Sequence, residues 1–177
     1  MRPGVHRMIS DDERAIPLSL FHYARSFWQS AVLLECSDLN GIMHPRAPIT
    51  LLLCQAIELY LKAFLRLREG RIEGLRHLRR RYKAIARDAR KKGLPLSDHD
   101  LMVVKFLAAT NAFLASRHST TGEVKALPAE KISETCASLD SLVSKALVEE
   151  GNTVMGPWDA SIGRHMGEDC REREATN

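Results

Sequence analysis

The sequence predicts an all-α protein, an up-and-down bundle of about five helices. Three observations point there. Apolar residues recur at spacings of three and four in successive stretches, the signature of helices with one packed face. No stretch keeps a period of two, and no Asn-Gly turn separates two β-branched runs, so strands and hairpins are not indicated. Glycines and prolines stand between the periodic stretches, where helices stop and start. With 177 residues, 45% of them apolar, the chain can bury one good core.

The elements follow in order. Residues 1–17 hold Pro3, Gly4, the acidic cluster Asp11, Asp12 and Glu13, and Pro17, a composition expected to form a flexible N-terminal segment. The bundle is expected over residues 18–150. A first helix should run from about Leu18 to Glu35, with Leu20, Ala24, Phe27, Ala31 and Leu34 inward and Trp28 and Val32 widening the stripe. Asn40-Gly41, Pro45 and Pro48 then predict a loop. The second helix, about Ile49 to Arg68, is apolar nearly all round, which suits the centre of a bundle. Gly70 and Gly74 mark the turn into a third, about Leu75 to Lys92, closed by Gly93 and Pro95. Ser97 or Asp98 can cap a fourth, reaching about Ser116, with Leu101, Val104, Leu107, Ala108 and Leu114 inward. Pro128 opens a fifth, whose stripe Ile132, Cys136, Leu139, Val143 and Ala146 lasts to about Glu149. Residues 151–177, Gly-rich and charged, read as a disordered tail.

The charge is unevenly spread. Between Arg66 and Lys92 stand twelve basic and three acidic residues, a local charge of +9 in a chain whose total is +4, so the remainder carries −5. Such a field attracts polyanions or an acidic partner. In the third helix Arg76, Arg79, Arg80, Lys83, Arg87 and Arg90 form a band on one face, while Leu75, Leu78, Tyr82, Ile85 and Ala89 face the core. Arginine forks match phosphate oxygens in pairs. No aromatic platform is interleaved with them, so the expected contact is with phosphate, without base readout and with strong salt dependence. The alternative is a solvated helix face, which most charge runs are.

A second candidate lies on the second helix. Gln55, Glu58, Lys62 and Arg66 share one face, and Glu58 and Lys62 stand in the favourable order for a pair four residues apart. They are either the helix's solvent face or a cleft that orients a ligand. The four cysteines are widely spaced singletons, and His22, His44 and His99 have no companions at ligand spacing; no metal and no cofactor is expected. Reduced thiols, the lack of a leader-like apolar segment, and an apolar run broken by Gln55, Glu58 and Lys62 make a cytoplasmic protein without membrane spans the expectation. Trp28 reads as core, whereas Trp158 falls in the tail, idle or docked on a partner.

Several motifs carry a likeness in their order along the chain: AIELYLKAFLRLREG from Ala56, Leu75-Arg76, KKGL from Lys91, and SRHSTTGEVKALP from Ser116. Together they resemble the HEPN superfamily of small helical bundles, and the likeness covers about Leu18 to Glu149. It implies a homodimer. Many members act on RNA or pair with a nucleotidyltransferase in toxin and antitoxin systems. Two departures count against catalysis. Arg80-Arg81 fall where the family keeps His-Asp, and His118 follows Arg117 directly, where the ribonuclease members separate Arg and His by four to six residues. Adjacent helical residues point about 100° apart, which makes it hard for one chain to aim both at one phosphate. Arg71 and His77 meet the spacing, but so short a motif recurs by chance and these two lie in the wrong element.

The expectation is therefore a HEPN-like, non-catalytic protein that binds RNA or a nucleotide through its basic third helix and a cleft at Gln55, Glu58 and Lys62. The first alternative is a metal-independent ribonuclease using Arg117 and His118, one as the cation and the other as acid or base. The second is a helical interaction module for an acidic protein.

Overall fold

A computed structural model of the chain describes residues 16–37, 44, 46–70, 82–110, 127–156 and 158. They form five helices: α1 (Pro17–Cys36), α2 (Arg46–Glu69), α3 (Tyr82–Lys91), α4 (Asp98–Thr110) and α5 (Ala129–Glu149). No strand occurs among the described residues, so the fold is an all-α bundle. The expected stretches 75–81 of the third helix and 111–116 of the fourth lie outside the described residues.

The helix ends follow local chemistry. Pro17 opens α1, where a missing N–H costs nothing because the first turn's N–H groups have no intrahelical partner. The same reason corrects the loop expected through Pro48. α2 begins at Arg46 and takes Pro48 into its first turn. At the end of α3, Gly93 adopts φ of 95°, which lets its N–H reach the Arg90 carbonyl while Leu94 N–H reaches that of Ala89. Leu94 is thereby turned into the core. Ser97 caps α4: its Oγ accepts from Asp100 N–H at 3.1 Å, and the Asp100 carboxylate accepts in return from Ser97 N–H at 3.0 Å. Ser138 of α5 donates to the same carboxylate oxygen, so this cap also ties α4 to α5.

α2 is the centre of the bundle and packs against α1, α5 and α3. Its interior includes Leu53, Ile57, Tyr60, Leu61 and Phe64, all at most 2% exposed. Each such side chain contributes about 1.5–3 kcal/mol by leaving water. The inward stripe of α5 is the expected one. On α1 the buried face is centred on Phe21, Ala24, Trp28 and Ala31, and Leu20, Phe27 and Leu34 are only partly covered. The helix is thus turned so that its two bulkiest aromatic faces meet α2 and α5: Phe21 packs edge-on against Tyr60, and Trp28 donates its indole N–H to Ser133.

The chain after α5 stays on the bundle as far as it is described. Met155 and Gly156 offer their carbonyls to Arg25, and Trp158 packs edge-on against Trp28 with ring centroids 4.9 Å apart. The bundle therefore includes part of what the sequence suggests is tail.

Candidate functional site

The basic third helix is described from Tyr82 onward. Tyr82, Ile85, Ala86 and Ala89 are buried, and Lys83, Arg87 and Arg90 are exposed on the other face. This is the two-sided pattern expected of the helix. Arg76, Arg79 and Arg80, which continue the band in sequence, lie outside the described residues.

Between α3 and α4 runs a groove of about 600 Å³. Its rim is cationic on both sides, with Lys83, Arg87 and Arg90 from α3 and Lys105 from α4. Its floor is apolar: Ala84 and Ala86 from α3, and Leu101, Val104 and Ala108 from α4. The groove exists because small side chains face one another there. Alanines at 84 and 108 leave open the space that larger residues would fill between two packed helices. No acidic residue is among the described residues lining it. Arg87 also meets its neighbour Asp88 at 3.1 Å, but both are exposed, and such pairs are worth about 1 kcal/mol or less. Lys92 at the end of α3 meets Glu69 of α2 at 3.2 Å, so it is partly neutralised away from the groove.

Lys105 is the groove residue that sequence reading passes over. It stands as the one basic residue in the apolar run Leu101 to Ala109 of α4, and only the packing of α4 beside α3 joins it to the arginines.

The Gln55, Glu58 and Lys62 stripe behaves differently. Glu58 and Lys62 are 4% and 8% exposed, and the ammonium meets the carboxylate at 2.5 Å. Gln55 is half-buried. For Glu58 and Lys62 burial removes the solvent-face reading: the pair is held inside the bundle, near Cys54 and Tyr82. The Tyr82 hydroxyl donates to the Cys54 carbonyl at 3.3 Å. None of Gln55, Glu58 and Lys62 lines the α3–α4 groove.

Across the bundle lies a polar cluster that the sequence reading omits. Arg25 of α1 grips Asp140 of α5 with two parallel bonds of 2.8 Å, and the Tyr60 hydroxyl of α2 donates to the same carboxylate at 2.8 Å. Arg25 also lies over the Phe21 ring, 4.7 Å from its centroid. All three residues are buried. Burial alone would lower the Arg25 pKa, but the hydrogen bonds and charge of Asp140 outweigh it and raise it. Burial first, then the charge of Asp140, pushes the Tyr60 phenol up. Five donated hydrogen bonds thus join α1, α2, α5 and the chain beyond α5 at one point, with both charges paired. This is the chemistry of a structural clasp. A signal for it exists in the sequence: Arg25 and Asp140 are single charges set within the apolar stripes of two helices.

Two thiols lie in the core. Burial pushes Cys54 up to about 12 and Cys136 well above its ordinary value, which removes thiolate character at neutral pH. Among the described residues no three His, Cys, Asp or Glu side chains are grouped to hold a metal ion. α2 is long and apolar enough by length and composition to cross a membrane, and 67% of its most apolar window is buried inside the bundle. Arg117 and His118, the catalytic candidates, lie outside the described residues. Comparison with protein-family models, with curated proteins and with solved structures returns no match to this chain.

Proposed function

We propose that the protein is a non-catalytic binding module that takes RNA along the exposed face of α3 and the rim of the α3–α4 groove. One observation carries this reading: four cations from two helices converge on one groove with no acidic residue among its described lining. Each exposed arginine presents a flat fork suited to phosphate, and helices fixed to a packed core hold the forks in place. Binding of this kind follows the backbone and carries little sequence preference. The HEPN-like character, the homodimer, a nucleotidyltransferase partner and a cytoplasmic location belong to the same proposal. For the homodimer the support is the sequence resemblance; Tyr23 and Leu33, exposed on α1, stand ten residues apart and form no continuous apolar patch.

The test is titration of labelled single-stranded RNA at two salt concentrations. Wild type should bind at low salt and lose affinity steeply as salt rises. Arg87→Glu with Arg90→Glu should abolish that binding while the protein stays folded. RNA binding that is unchanged in the double variant contradicts the reading. Cleavage of the RNA by wild type, lost in Arg117→Ala and in His118→Ala, would instead establish the ribonuclease alternative. Copurification of an acidic protein without nucleic acid would favour the interaction module.

A further inference from the structure

An RNA backbone would use only part of the groove. Phosphates meet the four rim cations, but the apolar floor of Leu101, Val104 and Ala108 gains nothing from a phosphodiester chain, and no aromatic ring is among the described residues lining it for a base to stack on. The groove suits a compact occupant better than a chain that only passes over its rim. Its volume of about 600 Å³ falls instead in the range of small-molecule sites, which combine apolar walls with a few polar groups that fix orientation.

We infer that the α3–α4 groove binds a small amphiphilic organic anion, of the class of medium-chain carboxylates, with its carboxylate on the cationic rim and its apolar body along the floor. The complementarity is twofold. The rim offers lysine and arginine donors with no acid among the described lining residues, Asp88 meeting Arg87 only across a solvated contact, and the floor offers side chains with no polar atoms to desolvate. This goes beyond the RNA reading: the two share the rim, but only the carboxylate needs the floor.

The experiment is an amide-shift NMR titration of the full chain with hexanoate, octanoate and decanoate, each below its micelle concentration, and with decyltrimethylammonium. The carboxylates should shift the amides of α3 and α4, and each added methylene should tighten binding by about fourfold until the floor is covered. The cationic amphiphile should bind at least about tenfold more weakly. Lys105→Glu should weaken decanoate by about tenfold. Ala108→Phe should fill the floor and abolish decanoate binding. If Ala108→Phe does not fold, the chain-length series and Lys105→Glu carry the test. Affinity that ignores chain length, equal binding of the ammonium amphiphile, or shifts confined to the Tyr23 and Leu33 side of α1 overturns the inference. So does a groove that is indifferent to the carboxylates but titrated by polyglutamate or RNA. RNA binding without decanoate binding leaves the RNA proposal standing and removes this one, and decanoate binding without RNA binding does the reverse.

Discussion

Arginine serves opposite ends on the two sides of this bundle. Arg25 is buried, with its charge met by Asp140 and two further bonds given to main-chain carbonyls. Arg87 and Arg90 are exposed on α3, where among the described residues Asp88 answers Arg87 across a solvated contact. The first kind of arginine holds helices together, and its removal should be felt as lost stability. The second kind costs the fold little and is available to a ligand. Counting charges along the chain finds the second kind, because it clusters, and misses the first, because it is single.

The sharpest way to break the comparison is at Asp140. Asp140→Ala leaves the buried Arg25 cation without its carboxylate and should destabilise the protein by about 3–5 kcal/mol, read as a fall in the denaturant midpoint. Replacing both partners with apolar residues, Arg25→Met with Asp140→Leu, should recover much of that loss, since buried pairs and well-packed apolar substitutes are often of similar worth. A double variant as unstable as Asp140→Ala would mean that the geometry of the clasp, and not its stranded charge, is what matters.

Tyr60→Phe is the milder probe of the same cluster. It removes one hydrogen bond to a charged group and leaves the Arg25 bonds in place, with an expected loss of about 2 kcal/mol in the same measurement. No measurable loss would show that the hydroxyl adds nothing to the clasp.

The core thiols sharpen the comparison through pH. In the unfolded chain a cysteine ionises near pH ~8.5, whereas burial holds Cys54 protonated to about 12 in the fold. Its contribution to stability is therefore complete below pH ~8.5 and is lost as pH rises towards the folded value. Denaturation followed from pH 7 to 11 should show stability falling in the alkaline range, with a smaller fall in Cys54→Ala. At pH 7 both Cys54 and Cys136 should resist iodoacetamide in the native protein and react once it is unfolded. Rapid native labelling of Cys136 would show that the core opens far more readily than its packing implies.

How much of this was open to the sequence differs between the same two regions. The five helices are legible because the apolar spacing is long and regular, and the end of α3 and the start of α4 are legible because Gly93 and Ser97 each have one local job. The start of α2 is not, since a proline just inside a helix and a proline before one look alike until the first turn is seen. The exposed half of α3 is legible as charge. Its groove is not, because the groove depends on Lys105 and on alanines that acquire meaning only when α4 lies alongside. The clasp is half-legible: Arg25 and Asp140 stand out as charges on apolar faces, but nothing local says that they meet across 115 residues of chain. For Glu58 and Lys62 the spacing correctly suggests a pair and says nothing of its burial.

The central claim is that function lies on the α3–α4 face while the Arg25–Asp140 side serves the fold. It is tested most directly by measuring RNA affinity and thermal stability together in wild type, Arg87→Glu with Arg90→Glu, and Tyr60→Phe. The α3 double variant should lose RNA binding while its stability changes by no more than about 0.5 kcal/mol, and Tyr60→Phe should lose stability and keep its RNA affinity. RNA affinity that survives charge reversal on α3, or that falls with Tyr60→Phe at a temperature where the variant is fully folded, would contradict it.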